Sequence, residues 1–518
     1  MKLILSAHKT TKHNLISHHQ YLLHDLSALG SRIFQASCSE GGLNSQRYQA
    51  NSLKHSILTS VCGMQSSNRL MNVNKHANRM KKVEIEIISR ETIKPTYPTP
   101  YHLRTYKLSL LDQTMYDVYT PWALFLPNSN EASIKDVVSK RAKHLKENLS
   151  RILTQFYPLA GELIKNSLYI DCNDKGVYYM EARVNETLEN FLRDPDDEKV
   201  RELIPKIAHT MNSTIRNYVL GIQVNIFSCG GIVLTTSSSH KIVDFHTYMM
   251  FMKAWAAAVR GSPETISPSL MASEVFPNDP SLEDPVPANL MNIKLLSTKR
   301  FVFDSKSLAI LKAQPVAYTP TRMEATTAVI WKAAAKAAST CRSPYSLQSP
   351  HLMFSVVNIR KRASPPLPDN SIGNVVSGGY AICFPGNKPN LPTLMSKLRE
   401  SIANVNSGHI DCLKGVKGHK TMKDRLNMIK LVNAGDCMLT SSMLNSGIYD
   451  LDFGWGKPIW FYVMNPGIVR FVALTDTNGG GVEAIVTLSL DEMEKFECDP
   501  ELLSHATVNP SPLLYLNH

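Results

Sequence analysis

At 518 residues the chain exceeds the usual size of one domain, so two domains are expected. A hydrophobic content of 43% supports a sizeable core, and 19% charged residues is too few for a largely disordered protein. The net charge of +12 comes without any Lys/Arg run interleaved with aromatics, which argues for a generic basic surface or a phosphate-bearing ligand and against nucleic-acid binding.

Residues 1–79 carry nine Lys/Arg against Asp25 and Glu40, so this stretch holds +7 and the remainder +5. The stretch is rich in Ser, His and Asn and lacks sustained periodicity. Such a composition resembles an organelle transit segment, although it is long for one and sparse in Arg. The reading preferred here is an extension before a start at Met80. It is expected to be disordered and is set aside from the fold. A plastid or mitochondrial destination follows only if it is a genuine transit segment; otherwise the protein is expected in the cytoplasm. The nine cysteines are odd in number and include no C-x-x-C, so reduced thiols are expected, with neither a zinc site nor a disulfide framework. No apolar run approaches the length of a membrane span, and the longest, around Tyr248–Val259, is broken by Lys253. No membrane association is expected.

From Val83 the pattern becomes globular. Val83, Ile85 and Ile87 alternate with Glu84, Glu86 and Ile88, as in a half-buried strand. Pro95, Pro98 and Pro100 mark a loop. Apolar residues from Ile134 through Leu145, Leu149 and Ile152 to Phe156 fall on one face of a long helix, which Pro158 ends. Residues 222–239 read as a hairpin turning at Gly230-Gly231, and His240 stands where its second strand stops. An apolar helix then runs from Phe245 to Arg260, closed by Gly261.

The Pro-, Ser-, Asn- and Asp-rich residues 262–297 read as a crossover. Beyond it come a strand at Arg300–Phe303, a helix through Ile330 and Trp331, and a strand at Phe354–Ile359. Helices follow at Leu391–Val405 and Thr421–Val432, and a strand at Val482–Leu488. Strands are also expected on either side of Asp452. The mixture of strands and helices in two halves predicts an α/β (mixed α+β) class.

Two short motifs carry chemistry. His240 and Asp244 are four apart at a strand-to-helix junction, where side chains can project into a cleft. A histidine is the right residue type to take a proton from a hydroxyl or amine near neutrality. Asp244 then need not touch substrate; it can hold the backbone around His240, with a basic partner elsewhere. The alternative is structural: His240 as a satisfied turn histidine and Asp244 as the N-cap of the following helix. The second motif, Asp452-Phe453-Gly454-Trp455-Gly456, implies a tight turn with close backbone approach. Its alternatives are an architectural turn, or an indole N–H of Trp455 offered to a developing oxyanion. No nucleophile elbow, P-loop or dinucleotide-binding fingerprint occurs.

The complete pair of motifs, with Val357-Asn358-Ile359-Arg360, Pro365-Pro366-Leu367-Pro368 and Ser371-Ile372-Gly373-Asn374, resembles the plant BAHD acyl-CoA-dependent acyltransferases. The resemblance spans about Val83 to Leu516. Ser239-His240-Lys241 and Ile93-Lys94-Pro95 look most like the branch containing vinorine synthase and deacetylvindoline acetyltransferase. The resemblance implies two similar-sized domains of the chloramphenicol-acetyltransferase type, each a mixed sheet flanked by helices, with a channel between them. Their bounds would be 80–261 and 298–518. It implies His240 as the base that deprotonates an acceptor hydroxyl, with Asp244 and Arg360 as an orienting pair. Asp452 is sometimes counted catalytic in the family but is more plausibly structural, and Trp455 faces the oxyanion or the channel. The implied co-substrate is acetyl-CoA or another acyl-CoA, with no metal. The implied acceptor is an alcohol of a specialised metabolite such as an alkaloid, and the implied state is a monomer. A catalytically silent ligand-binding homologue is the alternative. It is motivated by Ser442-Met443-Leu444-Asn445-Ser446, where the family often has Ser-Trp-Cys-Arg-Phe. Phe245 replaces the glycine that commonly follows the aspartate, a departure that bears on the shape of the acceptor pocket and not on activity.

Overall fold

The half-buried alternation at the start of the ordered pattern builds the edge of a sheet. Ile85–Ile93 is a strand whose odd-numbered residues turn inward, with a bulge between Ile87 and Ser89. The computed structural model describes residues 83–516 apart from 130, 165–166, 206–217, 263–265, 283–295, 342–349, 385–388 and 432–436. The expectations for residues 1–79, and for 263–265 and 283–295 of the crossover at 262–297, lie outside the described residues. Val83–His518 groups as one compact unit.

The first sheet has six strands, in the order Ile85–Ile93, Val177–Val184, Leu220–Phe227, Ile232–Ser239, Tyr119–Leu126 and Trp460–Val463. Only the Val177–Val184 and Leu220–Phe227 pair is parallel. The hairpin read at 222–239 is its centre, turning with Gly230 at φ +80°. The second sheet has seven strands, in the order Val376–Cys383, His351–Asn358, Cys437–Ser442, Phe471–Asp476, Val482–Ser489, Leu296–Phe303 and Thr507–Val508. It mixes parallel and antiparallel pairs, so the class is mixed α/β.

Helices cover both sheets. Phe245–Val259 packs with Ala142–Leu153 in the first core, and Arg322–Cys341 with Leu391–Ala403 in the second. The helix read from Ile134 to Phe156 ends earlier, at Leu153, because Pro158 has no N–H to offer the Thr154 carbonyl and its ring crowds that carbonyl; the chain enters a 3₁₀ turn at Tyr157–Ala160. A π-turn at Val137–Arg141 also interrupts it. No helix among the described residues is long and apolar enough to cross a membrane. Among the described residues, Cys172, Cys229, Cys341, Cys383 and Cys498 are free thiols.

The Trp460–Val463 strand comes from the second half of the chain yet pairs with Tyr119–Leu126 in the first sheet, so sheet membership does not follow the expected boundary near residue 298. A buried ion pair holds this joint. Arg300 Nη1 donates to Glu483 Oε1 at 3.0 Å, and Trp460 Nε1 donates to Glu483 Oε2 at 2.8 Å. The guanidinium of Arg300 lies 5.0 Å above the Trp460 ring and donates to the carbonyls of Pro195 and Pro510. Removing one partner strands the other's buried charge. Glu483→Ala is therefore expected to lower unfolding free energy by about 3–5 kcal/mol in urea titrations.

Candidate active site

His240 is positioned by backbone geometry at the end of a fully buried strand. Its N–H donates to the carbonyl of Val118 at 2.8 Å, and the Ser239 N–H donates to Val219 at 2.8 Å. The chain then turns sharply, with the N–H groups of Ile242 and Val243 both donating to the Ser239 carbonyl. Asp244 begins the Phe245–Val259 helix as its N-cap, accepting from the Thr247 N–H at 2.7 Å.

Asp244 has a second role that spacing alone left open. Its two oxygens accept from Nη1 and Nη2 of Arg360 at 2.8 and 3.2 Å. Arg360 is completely buried and also donates to the carbonyls of Ser371 and Gly373. The Val375 N–H donates to Asp244 Oδ2 at 3.2 Å. Burial alone would raise the Asp244 carboxyl, but the Arg360 guanidinium and the Thr247 N–H hold it below its ordinary value. The capping role and the ion pair are thus served by one carboxylate.

A second arm reaches His240 through residues that sequence reasoning did not single out. Asp112 is fully buried in a capping box with Ser109. Its Oδ1 accepts from the Asn374 N–H at 2.6 Å and from Asn374 Nδ2 at 2.9 Å, and the same Nδ2 donates to the His240 carbonyl at 2.7 Å. Burial pushes the Asp112 carboxyl up despite these bonds. Gly373 beside it has φ +106°, and a Cβ there would stand 3.2 Å from Asp112 Oδ2. Asn374 belonged to a quoted family segment, whereas Asp112 had no local signal beyond the Ser109-x-x-Asp112 cap.

The imidazole of His240 lines a cavity of about 890 Å³ that draws its walls from both sheets and their helices. Trp122, Phe245 and Met249 form an apolar side near it, and Val356 and Leu439 lie on the second sheet. Phe245 packs against Trp122, Tyr248 and Phe461 at ring separations of 6.4, 6.0 and 6.0 Å. Burial lowers the His240 pKa from its ordinary value, and the Asp244 carboxylate only partly offsets that. The imidazole is therefore neutral at pH 7, the state a general base needs. Among the described residues no group of His, Cys, Asp and Glu is placed to hold a metal.

Asp452 and Trp455 are not brought to His240. Neither lines the cavity. Asp452 Oδ1 accepts from the Gly454 and Gly456 N–H groups at 2.7 and 3.2 Å, and its carbonyl accepts from Arg260. Both glycines have positive φ, and a Cβ at Gly456 would stand 2.7 Å from Ser129 Oγ. Trp455 is buried against Phe453, with the Arg141 guanidinium 5.4 Å above its ring. Its apolar ring is taken up by the first core. Ser442–Ser446 does line the cavity. Asn445 there is held by Arg322 Nη2 at 2.6 Å and by Asp476 Oδ2 at 2.7 Å.

Residues 83–503 match the model of the Transferase family. The chain belongs to the BAHD acyltransferases. It is an acyl-CoA-dependent acyltransferase by family. It is 35% identical over 457 residues to epi-neemfruitin B 7-O-acetyltransferase from Melia azedarach, covering 83% of this chain and all of that one. A 17,18-epoxy-17-hydroxycur-19-ene N-malonyltransferase from Strychnos nux-vomica is 33% identical, covering 84% of this chain and 93% of its own. Vinorine synthase from Rauvolfia serpentina is 32% identical over 79% of this chain and 95% of its own. The crystal structure of vinorine synthase superposes with a TM-score of 0.73 at 31% identity, over 82% of this chain and 98% of that one. These relatives are themselves plant acyltransferases of specialised metabolites.

The Asp244–Arg360 pair makes a direct prediction. Arg360→Ala leaves Asp244 as an uncompensated buried charge. It is expected to cost about 3–5 kcal/mol of stability by chemical denaturation. At temperatures where the variant is folded, kcat is expected to fall because the turn carrying His240 loses its anchor.

Proposed function

We propose that the protein transfers an acetyl group from acetyl-CoA to a hydroxyl of a polycyclic specialised metabolite such as an alkaloid. The observation that carries this reading is a neutral His240 lining a large, mostly apolar cavity, held from behind by a buried carboxylate–guanidinium pair. Acetyl as the donated group is favoured by the O-acetyltransferase among the relatives, while the malonyltransferase makes donor choice a point for experiment.

In the proposed reaction His240 takes the proton of the acceptor hydroxyl as its oxygen attacks the thioester carbonyl. The carbonyl π electrons move to oxygen in the tetrahedral intermediate. Their return breaks the carbon–sulfur bond, and the leaving CoA thiolate recovers a proton from the imidazolium. The ester and free CoA result, and the histidine ends neutral. Asp244 and Arg360 do not exchange protons in this cycle; they are positioning residues.

His240→Ala is expected to remove the general-base contribution, a loss of about 10²–10⁴-fold in transfer rate, with the circular dichroism spectrum and melting temperature preserved. Release of CoA thiol from acetyl-CoA and a panel of alcohols measures it. A protein that releases no CoA with any donor or alcohol is instead the catalytically silent homologue.

The pH profile carries a sign. The folded-state pKa of His240 lies below the ordinary 6.5, so the base stays deprotonated from neutrality down past that value. The acid limb of kcat/KM is expected below pH 6.5. A limb above it contradicts His240 as the neutral, buried base. The same depressed pKa means that stability contributed by the neutral imidazole is present above 6.5 and declines as pH falls below it.

A further inference from the structure

The cavity holds a second polar point that the chemistry at His240 does not use. Its floor is one face of the second sheet, on which Phe354, Val356 and Asn358 pair in register with Tyr380, Gly378 and Val376. The Asn358 end is tied to the catalytic corner, since its side-chain oxygen accepts from the Arg360 backbone N–H at 3.1 Å and from Nη1 at 3.3 Å. Four residues of strand separate that end from the Phe354–Tyr380 pair, a span of about 13 Å.

At the far end Tyr380 lines the cavity. Its ring meets Phe354 edge-on at 4.9 Å. Gly378 makes this arrangement possible, because a Cβ there would lie 1.9 Å from the Phe354 ring. Arg425, on the Lys417–Leu431 helix, lines the same cavity. Burial pushes the Tyr380 hydroxyl up to about 12, and the nearby Arg425 charge opposes that rise. The phenol is therefore a proton-bearing donor with a guanidinium in electrostatic reach, above an apolar aromatic floor.

We propose that Tyr380 and Arg425 form a remote recognition point for a carbonyl or carboxylate oxygen of the acyl acceptor. That oxygen would sit on a rigid apolar skeleton at the end away from the hydroxyl presented to His240. The inference rests on the acceptor-alcohol reading above and names a feature of that acceptor. The apolar floor of Phe354, Val356 and Leu439 suits a ring skeleton and offers little to the polar arm of an acyl-CoA.

Two steroid probes test it. 3β-Hydroxy-5α-androstan-17-one carries a hydroxyl and a carbonyl at opposite ends of one rigid skeleton, and 5α-androstan-3β-ol lacks the carbonyl. Their binding to His240→Ala protein is read from tryptophan fluorescence, since Trp122 lines the cavity. This needs no turnover, so failure of the acyl-transfer reading and failure of the recognition point give separate results. The ketone is expected to bind about 10-fold more tightly, as a charge-assisted hydrogen bond warrants. Arg425→Met in the same background is expected to reduce that ratio to near one without changing acetyl-CoA affinity. Tyr380→Phe should reduce it by several-fold, and serves if the arginine variant does not fold. A ratio unchanged in both variants, equal binding of the two steroids, or binding of neither overturns the proposal. So does an acetyl-CoA affinity that falls in place of the ketone's, which assigns Arg425 to the donor.

Discussion

One buried ion pair organises this molecule. Asp244 caps the helix that follows His240, and Arg360 belongs to the segment leaving the second sheet. A carboxylate and a guanidinium withdrawn from water are costly unless every lone pair and N–H finds a partner. Here Thr247, Val375, Ser371 and Gly373 supply those partners, and they come from both sides of the cavity. The pair therefore fixes where the two sheets meet, and with it the position of the imidazole relative to the opposite wall. Asp112 and Asn374 repeat the device on the other side of the same turn.

A second joint, of Arg300 with Glu483 and Trp460, ties the sheets together elsewhere by the same principle. Between such joints the cavity can remain open and apolar without collapse. Phe245 shapes it beside His240 by packing among Trp122, Tyr248 and Phe461. The Asp452–Gly456 turn contributes differently. Its carboxylate closes a glycine turn and its two aromatic rings bury in the first core, so it anchors the chain just before the strand that crosses to the first sheet. None of its residues lines the cavity.

Much of the fold was legible from local pattern. The hairpin at 222–239, the helix after Asp244 and the alternating strand after Val83 follow from residue periodicity and glycine turns. The Tyr119–Leu126 strand was not read, although it pairs with both Ile232–Ser239 and Trp460–Val463. Its latter residues are buried on both faces, so they show no alternation, and Pro121 argues against a strand until its partners are known. The π-turn at Val137–Arg141 leaves no mark on apolar spacing either. At the site, His240 was legible because its residue type and junction setting point to proton transfer. Asp112 was not, because its partner Asn374 is 262 residues away and the Ser109-x-x-Asp112 spacing near it announces only a helix cap.

By itself the sequence determined the family, through two complete motifs, and the residue type suited to act as base. It also determined that Asp244 could cap a helix and that Gly454 and Gly456 would make a tight turn. Those properties are local, set by a residue and its chain neighbours. Only the tertiary structure decided that the carboxylate capping the helix also accepts both Arg360 nitrogens, and that Trp455 turns into the core and away from the cavity. It likewise decided that Tyr380 and Arg425 line the same cavity as the proposed base. Burial and pairing are settled by what long-range packing places alongside a residue, and chain neighbours do not specify that.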